Sequence, residues 1–418
     1  MRKLLLAALT FVLLILAVPY AGPLSSGALL LTLPSVLAFA PQEHDLPDSY
    51  EPRHKGYIHL GTGSYIRDDE DLLVRGTPPL VLRRTSRSGF REAKEFGIGT
   101  THAGERYLAG DPDRFQWLVL ILPSGTWVRF ERTSSGTAYY NAMFEHHSSP
   151  SEYYGARVGW TGAGWTLRMT DGTVMTFQGC GAGSFRLCSI VSERDADGHT
   201  INYRRDSTGR LLRIEAAFDR WIAFDYDERN RISRAFDPAG HSVRYEYDTR
   251  GRLSRVISSE GREHRYQYTD LDELATIVDP ATRIENSFGS DGRVIRQINH
   301  APGEEPYTFN FGYIVRNGEV AQAETNRSDG TWTRYTYGAH RYIDSESWGR
   351  VGFQPATFVY ERDAVSRVIT ALSVTCPDRN GRPLRHSSDV PAGDEEWIKW
   401  DLLQTNCSWN GKRWREVQ

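Results

Sequence analysis

Residues 226–244 read YDERNRISRAFDPAGHSVR, and residues 247–265 read YDTRGRLSRVISSEGREHR, nearly the same pattern 21 residues later. A third copy, YTDLDELATIVDPATRIEN, follows at residues 268–286. A repeat of about 20 residues indicates that one small unit is stacked many times. Such an array is first of all a surface or a shell, and catalytic activity has to be argued from other residues.

Each copy alternates in the way that paired strands do. In residues 242–247, SVRYEY, apolar or aromatic residues alternate with polar ones, which marks a strand with one buried face. Gly251 ends a tight turn, after which LSRVIS can return as the partner strand. Two strands of about six residues and two turns use about 20 residues, which accounts for the period. The sequence therefore predicts an array of β-hairpins with almost no helix.

Aromatic residues recur at one position of the repeat, and equivalent positions of a hairpin array fall on one face. We expect them to form a ladder of rings that packs the sheet, since cross-strand aromatic pairs stabilise sheets. A sugar-stacking stripe is the alternative interpretation. The ladder comprises Tyr203, Tyr226, Tyr247, Tyr268, Phe288, Phe311, Tyr337 and Tyr360.

The first 40 residues differ from the rest of the chain. Arg2 and Lys3 precede a long apolar run, and a second apolar run spans residues 28–40. We expect residues 1–40 to be a signal peptide that is cleaved after Ala38. An uncleaved membrane anchor is the alternative, and membrane contact is expected only in that case. Residues 41–55 are polar and Pro-rich, as in a linker.

Four cysteines in a chain that is expected to be exported predict disulfide bonds, and three connectivities are possible. Pairing Cys180 with Cys188 would close a short, Gly-rich loop. Pairing Cys376 with Cys407 would then tie down the C-terminal tail. Free buried thiols are the alternative. The spacings match no zinc-binding pattern.

Residues 56–190 consist of short apolar alternations cut by turns, which is typical of a second β-rich region. Asp171-Gly172 stands between two strand-like runs and predicts a hairpin. Residues 133–164 are rich in Ser, Gly and Tyr, and we expect a long irregular connection there. The net charge is −3, from 50 basic and 53 acidic residues that are interspersed. Without a basic stripe, nucleic acid is not an expected partner.

The chain lacks the motifs that common enzyme classes need, including G-x-S-x-G, H-E-x-x-H and the P-loop. Asp227 and Asp248 are expected to cap turns rather than to act as an acid–base pair. His146-His147 lies in a Ser-rich loop without further ligands at a suitable spacing. We therefore predict no catalytic residues, no metal site and no cofactor.

The repeats resemble the YD repeats of the Rhs family, in which a Tyr-Asp pair is followed by Gly-Arg-Leu. Here the pair stands as Tyr226-Asp227 and Tyr247-Asp248, and Gly251-Arg252-Leu253 follows the second pair. Residues 60–89, LGTGSYIRDDEDLLVRGTPPLVLRRTSRSG, and the segment FGIGTTHAGERYL resemble the domain that precedes these repeats. Thr100 stands where the family usually has Trp.

The resemblance covers about residues 56–373 and implies an all-β fold. It implies a spiralling antiparallel sheet of about eight YD-repeat hairpins over residues 191–373, preceded by an all-β N-terminal domain at residues 56–190. The family's toxin and the signature at its boundary are missing. We expect an exported, non-catalytic scaffold in the periplasm, at the cell surface or outside the cell, with a glycan or another cell-envelope ligand. The alternative is a truncated Rhs toxin carrier, or an effector of a polymorphic toxin system.

Residues 374–418 break the repeat pattern. We expect this tail to cap the open end of the sheet, because an uncovered sheet edge recruits other chains. A ligand-binding surface and a small toxin remainder are the alternatives. The oligomeric state is left open. The tail is rich in tryptophan, with Trp397, Trp400, Trp409 and Trp414.

Overall fold

The structure, a computed structural model, describes residues 53–54, 57–111, 114–149, 151–179, 187–338, 341–365, 367–377, 382–389, 398–399, 402, 407–409 and 412–413. The chain divides into two units, Met1–Pro41 and Gln42–Gln418, and every described residue belongs to the second unit. The predicted leader and its cleavage site after Ala38 lie outside the described residues. Within the described ranges, none of the helices has the length and apolar character needed to span a membrane.

The N-terminal part of the second unit begins with short strands around one long hairpin. The strands are β1 (Arg53–His54), β2 (Ile58–His59), β3 (Ser64–Val74), β4 (Leu80–Arg87), β5 (Ala93–Lys94), β6 (Gly97–Ile98) and β7 (Thr100–His102). Five of them form a sheet in the order β1-β2-β3-β4-β7, and β5 pairs with β6. In the long hairpin, Asp69 lies opposite Arg84 and Glu70 lies opposite Arg83. The acidic strand therefore meets the basic one.

The next eight strands close into a ring. They are β8 (Tyr107–Gly110), β9 (Trp117–Ile121), β10 (Trp127–Arg132), β11 (Met143–Glu145), β12 (Arg157–Trp160), β13 (Gly164–Arg168), β14 (Val174–Gln178) and β15 (Cys188–Arg194). Each pairs antiparallel with the next, and β15 closes the ring by pairing Cys188 with Leu108. Asp171-Gly172 joins β13 to β14, as the sequence predicts.

The ring corrects one expectation from the sequence. Residues 133–164 are not a long irregular connection, because β11, β12 and a 3-10 turn (Tyr139–Asn141) lie within them. Large apolar side chains fill the ring, among them Phe130, Phe144 and Trp165, each at most 2% exposed. The ring is therefore a packed core.

A long antiparallel sheet continues from β15. Its strands are β16 (Thr200–Arg205), β17 (Leu211–Ala216), β18 (Arg220–Tyr226), β19 (Ile232–Phe236), β20 (Ser242–Tyr247), β21 (Leu253–Ser258), β22 (Glu263–Tyr268), β23 (Leu274–Val278), β24 (Arg283–Phe288), β25 (Val294–His300), β26 (Tyr307–Arg316), β27 (Glu319–Arg327), β28 (Thr331–Tyr337), β29 (Ile343–Arg350), β30 (Ala356–Arg362), β31 (Ile369–Pro377) and β32 (Pro383–Asp389). Strands β16 to β31 form eight successive hairpins, and β32 adds one strand. The predicted all-β fold with a spiralling antiparallel sheet of about eight repeat hairpins is confirmed.

The predicted domain boundaries fall inside strands. The boundary after Ile190 lies within β15, which belongs both to the ring and to the long sheet. The boundary after Ser373 lies within β31, and the sheet continues through β32. Beyond β32, Ile398, Lys399 and Leu402 have helical backbone, and β33 (Ser408–Trp409) pairs with β34 (Lys412–Arg413).

Candidate functional site

The turn that follows each Tyr-Asp pair is held by the aspartate. Asp248 Oδ1 accepts hydrogen bonds from the backbone N–H groups of Arg250 and Arg252, each at 2.9 Å. Its Oδ2 accepts from Arg252 Nε at 2.7 Å, and Asp227 makes the same set of bonds one repeat earlier. Partial burial alone would raise the pKa of Asp248, but these bonds and the arginine charge lower it. The aspartates cap turns, in agreement with the sequence analysis.

Arginine and tyrosine side chains link each repeat to the next. The guanidinium of Arg231 lies 4.1 Å from the ring centroid of Tyr247, and that of Arg252 lies 4.8 Å from the centroid of Tyr268. Tyr247 also donates its hydroxyl hydrogen to the carbonyl of Ile232 at 2.6 Å. Such ring–cation contacts stabilise by about 0.5–1 kcal/mol each where they are exposed. These rings are therefore partnered by guanidinium groups and backbone carbonyls, which gives them a structural role.

The structure places the predicted ladder residues at two positions rather than one. The shift of strand register at a turn falls immediately before five of them, which are Tyr226, Tyr247, Tyr268, Phe288 and Tyr337. Tyr203 and Tyr360 lie two residues before the equivalent position of their strands. Phe311 is also two residues early, because Tyr313 donates to the Val294 carbonyl as Tyr247 does to that of Ile232. Residues two apart in a strand face the same side, so alternation alone cannot separate the two positions.

Each of these turns contains a β-bulge, and the N-terminal segment binds to several of them. We call residues 57–105 the enclosed segment. Leu211 N–H donates to Glu95 Oε1 at 2.8 Å, and Ile232 N–H donates to the Glu95 carbonyl at 2.7 Å. Leu274 N–H donates to Ser88 Oγ at 3.0 Å, and Val294 N–H donates to the Gly63 carbonyl at 2.9 Å. A bulge interrupts ladder pairing, and buried N–H groups need a partner. The enclosed segment supplies that partner at four turns.

Ion pairs join the enclosed segment to the same face of the sheet, which we call the inner face. Arg67 contacts Asp279 at 3.0 Å, and His264 Nδ1 lies 2.7 Å from the other oxygen of that carboxylate. Burial alone would raise the pKa of Asp279, but His264 and Arg67 lower it to about 2. Arg84 is fully buried and donates to Asp71 and to the hydroxyl of Tyr266, each at 3.0 Å.

These charged residues were not among the residues predicted from the sequence. Removing one partner of a buried pair costs about 3–5 kcal/mol, because the other charge is left uncompensated. The available signal was the acidic run IRDDEDLL followed by VLRRTSR. Read as a hairpin, it places Asp69 opposite Arg84, and the alternation in β4 puts Arg84 on the buried face.

A second buried cluster in the enclosed segment brings Glu95, His102 and Glu105 together. His102 Nε2 lies 2.7 Å from Glu95 Oε2 and 3.8 Å from Glu105 Oε1. His102 Nδ1 accepts a hydrogen bond from the backbone N–H of Gly104, so the ring proton sits on Nε2 and points to Glu95. Burial raises the pKa of Glu105. Because Nε2 carries the proton and Nδ1 accepts from Gly104, neither ring nitrogen offers a free lone pair to a metal beside the two carboxylates, and the arrangement fits a hydrogen-bonded histidine better than a metal ligand set.

His146 and His147 do not form a metal site together. His146 is buried, with Nδ1 2.6 Å from the Arg129 carbonyl and Nε2 2.6 Å from Ser149 Oγ. His147 contacts Glu145 at 3.0 Å. The two rings therefore have separate structural partners.

The C-terminal residues are attached to the last repeats. Cys376 of β31 is bonded to Cys407. Ile398 and Leu402 share a buried cluster with Phe358 and Val374 on the same face of the sheet. Cys188 is also disulfide-bonded, and Cys180, its predicted partner, lies outside the described residues. Of the four tail tryptophans only Trp409 falls in a described strand, whereas Trp397, Trp400 and Trp414 lie outside the described residues.

Comparison with known proteins supports the repeat interpretation. Residues 226–263 match the family model described as RHS Repeat, and residues 55–130 match a domain of unknown function (DUF6531). No curated protein matches the chain significantly.

Among solved structures, the complex TcdB2-TccC3-Cdc42 is similar at 11% identity and a TM-score of 0.35, covering 77% of this chain and 22% of that chain. The Photorhabdus luminescens Tc holotoxin pore is similar at 11% identity and a TM-score of 0.30, covering 80% of this chain and 21% of that chain. The chain thus spans about a fifth of the length of these relatives. The matched repeat model and the matched domain before it show that the chain carries Rhs/YD repeats that follow a DUF6531 domain, in agreement with its eight bulged hairpins.

Proposed function

We propose that this Rhs/YD-repeat protein is an exported, non-catalytic scaffold that holds segments of its own chain on the inner face of the repeat sheet. The observation that carries the proposal is the set of four bulge N–H groups that bond to the enclosed segment. The same face of the last repeats is contacted by Ile398 and Leu402. Because segments of the chain itself occupy the inner face, we propose that a ligand binds to the outer face.

The outer face carries aromatic rings that suit a glycan. Trp221 alternates with the buried residue Ile222, so it lies on the side away from the enclosed segment. Phe236 meets its ring edge-on at a centroid distance of 5.8 Å, and Arg213 lies 4.4 Å from its centroid. An aromatic face beside a guanidinium offers both a stacking surface and hydrogen-bond donors. We propose that a cell-envelope glycan binds here rather than on the tyrosine ladder.

A glycan array probed with the purified full chain tests the ligand. We expect binding that Trp221→Ala weakens at least about tenfold, with a drop in melting temperature no larger than that of the control variant Trp332→Ala. Trp332→Ala is the matched control, because Arg334 lies 5.1 Å from the Trp332 ring in the same manner, yet Trp332 belongs to a distant repeat. Binding that survives Trp221→Ala, or that Trp332→Ala weakens equally, would show that this surface is not the site.

Export is tested separately. The full chain, produced in a bacterium with its own leader, should be recovered outside the cytoplasm in a shortened form whose N-terminus follows Ala38. Replacing Leu4, Leu5 and Leu6 with Asp should keep it in the cytoplasm. Full-length protein that stays in the cytoplasm with the native leader would contradict the export proposal without affecting the scaffold proposal.

A further inference from the structure

The last repeats surround one lysine with aromatic rings and a carboxylate. Lys399 Nζ lies 3.0 Å from Glu346 Oε2. The same nitrogen lies 5.1 Å from the ring centroid of Trp348 and 5.9 Å from that of Phe358. Lys399 and Glu346 are 6% and 3% exposed, respectively. A cation over two ring faces beside a buried carboxylate is the arrangement by which proteins recognise ammonium groups.

The sheet itself places these groups. Glu346 and Trp348 are two residues apart on β29, and Phe358 and Tyr360 are two residues apart on β30. Glu346 and Phe358 lie directly opposite each other across the two strands. Since residues two apart share a face, all four side chains project to the inner side. All four side chains of the site therefore come from neighbouring strands of the sheet, and none comes from the tail.

The hydrogen bonds to Glu346 determine which cation fits. Trp348 Nε1–H donates to Oε1, and the Tyr360 hydroxyl donates to Oε2 at 2.9 Å. These donors orient the carboxylate and leave Oε2 to accept the bond from Nζ. An arginine that binds with paired N–H groups would have to share Oε1 with the indole and Oε2 with the Tyr360 hydroxyl. A primary ammonium needs only one.

We propose that Glu346, Trp348, Phe358 and Tyr360 form a binding site for a primary alkylammonium, and that Lys399 occupies it as a tethered internal ligand. The disulfide between Cys376 and Cys407 keeps Lys399 close to the site. A tethered group competes at a high effective concentration, so an external ammonium enters only when Lys399 is absent or released. The site lies away from the Trp221 surface and does not depend on the glycan proposal.

Chemical rescue tests the site directly. Lys399→Ala removes three carbons and the ammonium, which n-propylammonium matches in size. We expect the variant to melt several degrees below the wild type and n-propylammonium to restore at least half of that loss in a saturable manner. Equal concentrations of 1-propanol or sodium chloride should not restore the melting temperature. Lys399→Ala combined with Glu346→Gln should show no rescue. Rescue by 1-propanol, or rescue that persists without Glu346, would overturn the proposal.

A second measurement uses the wild type, so that the test survives if the variant does not fold. After reduction of the disulfide, n-propylammonium should accelerate proteolytic removal of residues 390–418, whereas 1-propanol should not. An unchanged rate would also overturn the proposal. Nα-acetyl-lysine amide, in place of n-propylammonium, distinguishes the source of the ammonium. Acceleration by both compounds supports a lysine side chain as a ligand, acceleration by the amine alone supports a small free amine, and acceleration by neither refutes both.

Discussion

Gly97 is a position at which the enclosed segment closely approaches the backbone of a repeat turn, and its replacement by alanine should loosen the segment. Its φ is +83°, and a Cβ built there would lie 2.4 Å from the carbonyl oxygen of Gly251. The neighbouring Ile98 N–H donates to that same carbonyl at 3.2 Å, so relieving the clash breaks this bond. A non-glycine residue in the left-handed region costs about 1–2 kcal/mol, and overpacking costs about 1–3 kcal/mol more. We expect Gly97→Ala to lower the free energy of unfolding by about 2–5 kcal/mol.

Gly240→Ala is the matched control for the backbone cost. Gly240 has a φ of +93° in a repeat turn, and a Cβ there would meet nothing within 4 Å. We expect this variant to lose only about 1–2 kcal/mol. Urea unfolding of both purified variants, followed by tryptophan fluorescence, measures the difference. Equal losses would refute the argument that contact between the enclosed segment and the repeat turn stabilises the protein.

Three further predictions concern the repeat, the buried ions and the tail. Tyr247→Phe removes the hydroxyl bond to the Ile232 carbonyl and should cost about 1 kcal/mol in thermal unfolding; no loss would show that this bond contributes nothing. Asp279 has a pKa of about 2 in the folded protein and about 3.9 in unfolded chains. Since the folded value is lower, its contribution is complete above about pH 4 and is lost as the pH falls towards 2, so urea midpoints of Asp279→Asn should fall less over this window than those of the wild type; equal falls would contradict the assignment. Deleting residues 377–418 should lower the melting temperature and promote aggregation seen by light scattering, while the tail expressed alone should not inhibit growth; a stable monomer or a toxic tail would contradict the capping role.

The repeat could be predicted from sequence because its determinants are local. The spacing of Tyr226, Tyr247 and Tyr268, together with alternation and turn residues, is enough to define hairpins of about 20 residues. Asp248 could be assigned to its turn for the same reason, because its partners lie two and four residues away. Interactions within a few residues of each other leave a pattern in the sequence.

The closed ring could not be predicted, because its closure depends on a distant pairing. Cys188 and Ser189 pair with Leu108 and Tyr107, about 80 residues earlier, and no period connects them. The two short strands within residues 133–164 could not be predicted either, because they too are stabilised by packing in the ring and not by local sequence. Val158 and Phe144 are opposite each other in the ring and fully buried, so packing against the ring interior outweighs weak local strand preference.

The buried ion pairs were missed because charged residues are expected at the surface. Arg84 and Arg67 are stable inside only because Asp71, Asp69 and Asp279 accompany them. Asp279 comes from the repeats more than 200 residues away. Sequence composition cannot reveal a partner so far along the chain. The complementary charges of the β3–β4 hairpin, in contrast, could have revealed the ion pairs within that hairpin.

The bulges explain how a simple repeat can hold a segment of unrelated sequence. Leu211, Ile232 and Leu274 stand at multiples of 21 residues, and each presents an N–H to the inner face. The acceptors differ, since they are a carboxylate, a backbone carbonyl and a hydroxyl, and two of the three are side chains. What the sheet requires is therefore an acceptor at the correct place and not a particular residue. Regularly spaced donors of this kind let one repeat architecture enclose different segments, while buried pairs such as Arg67 with Asp279 fix which segment belongs in this one.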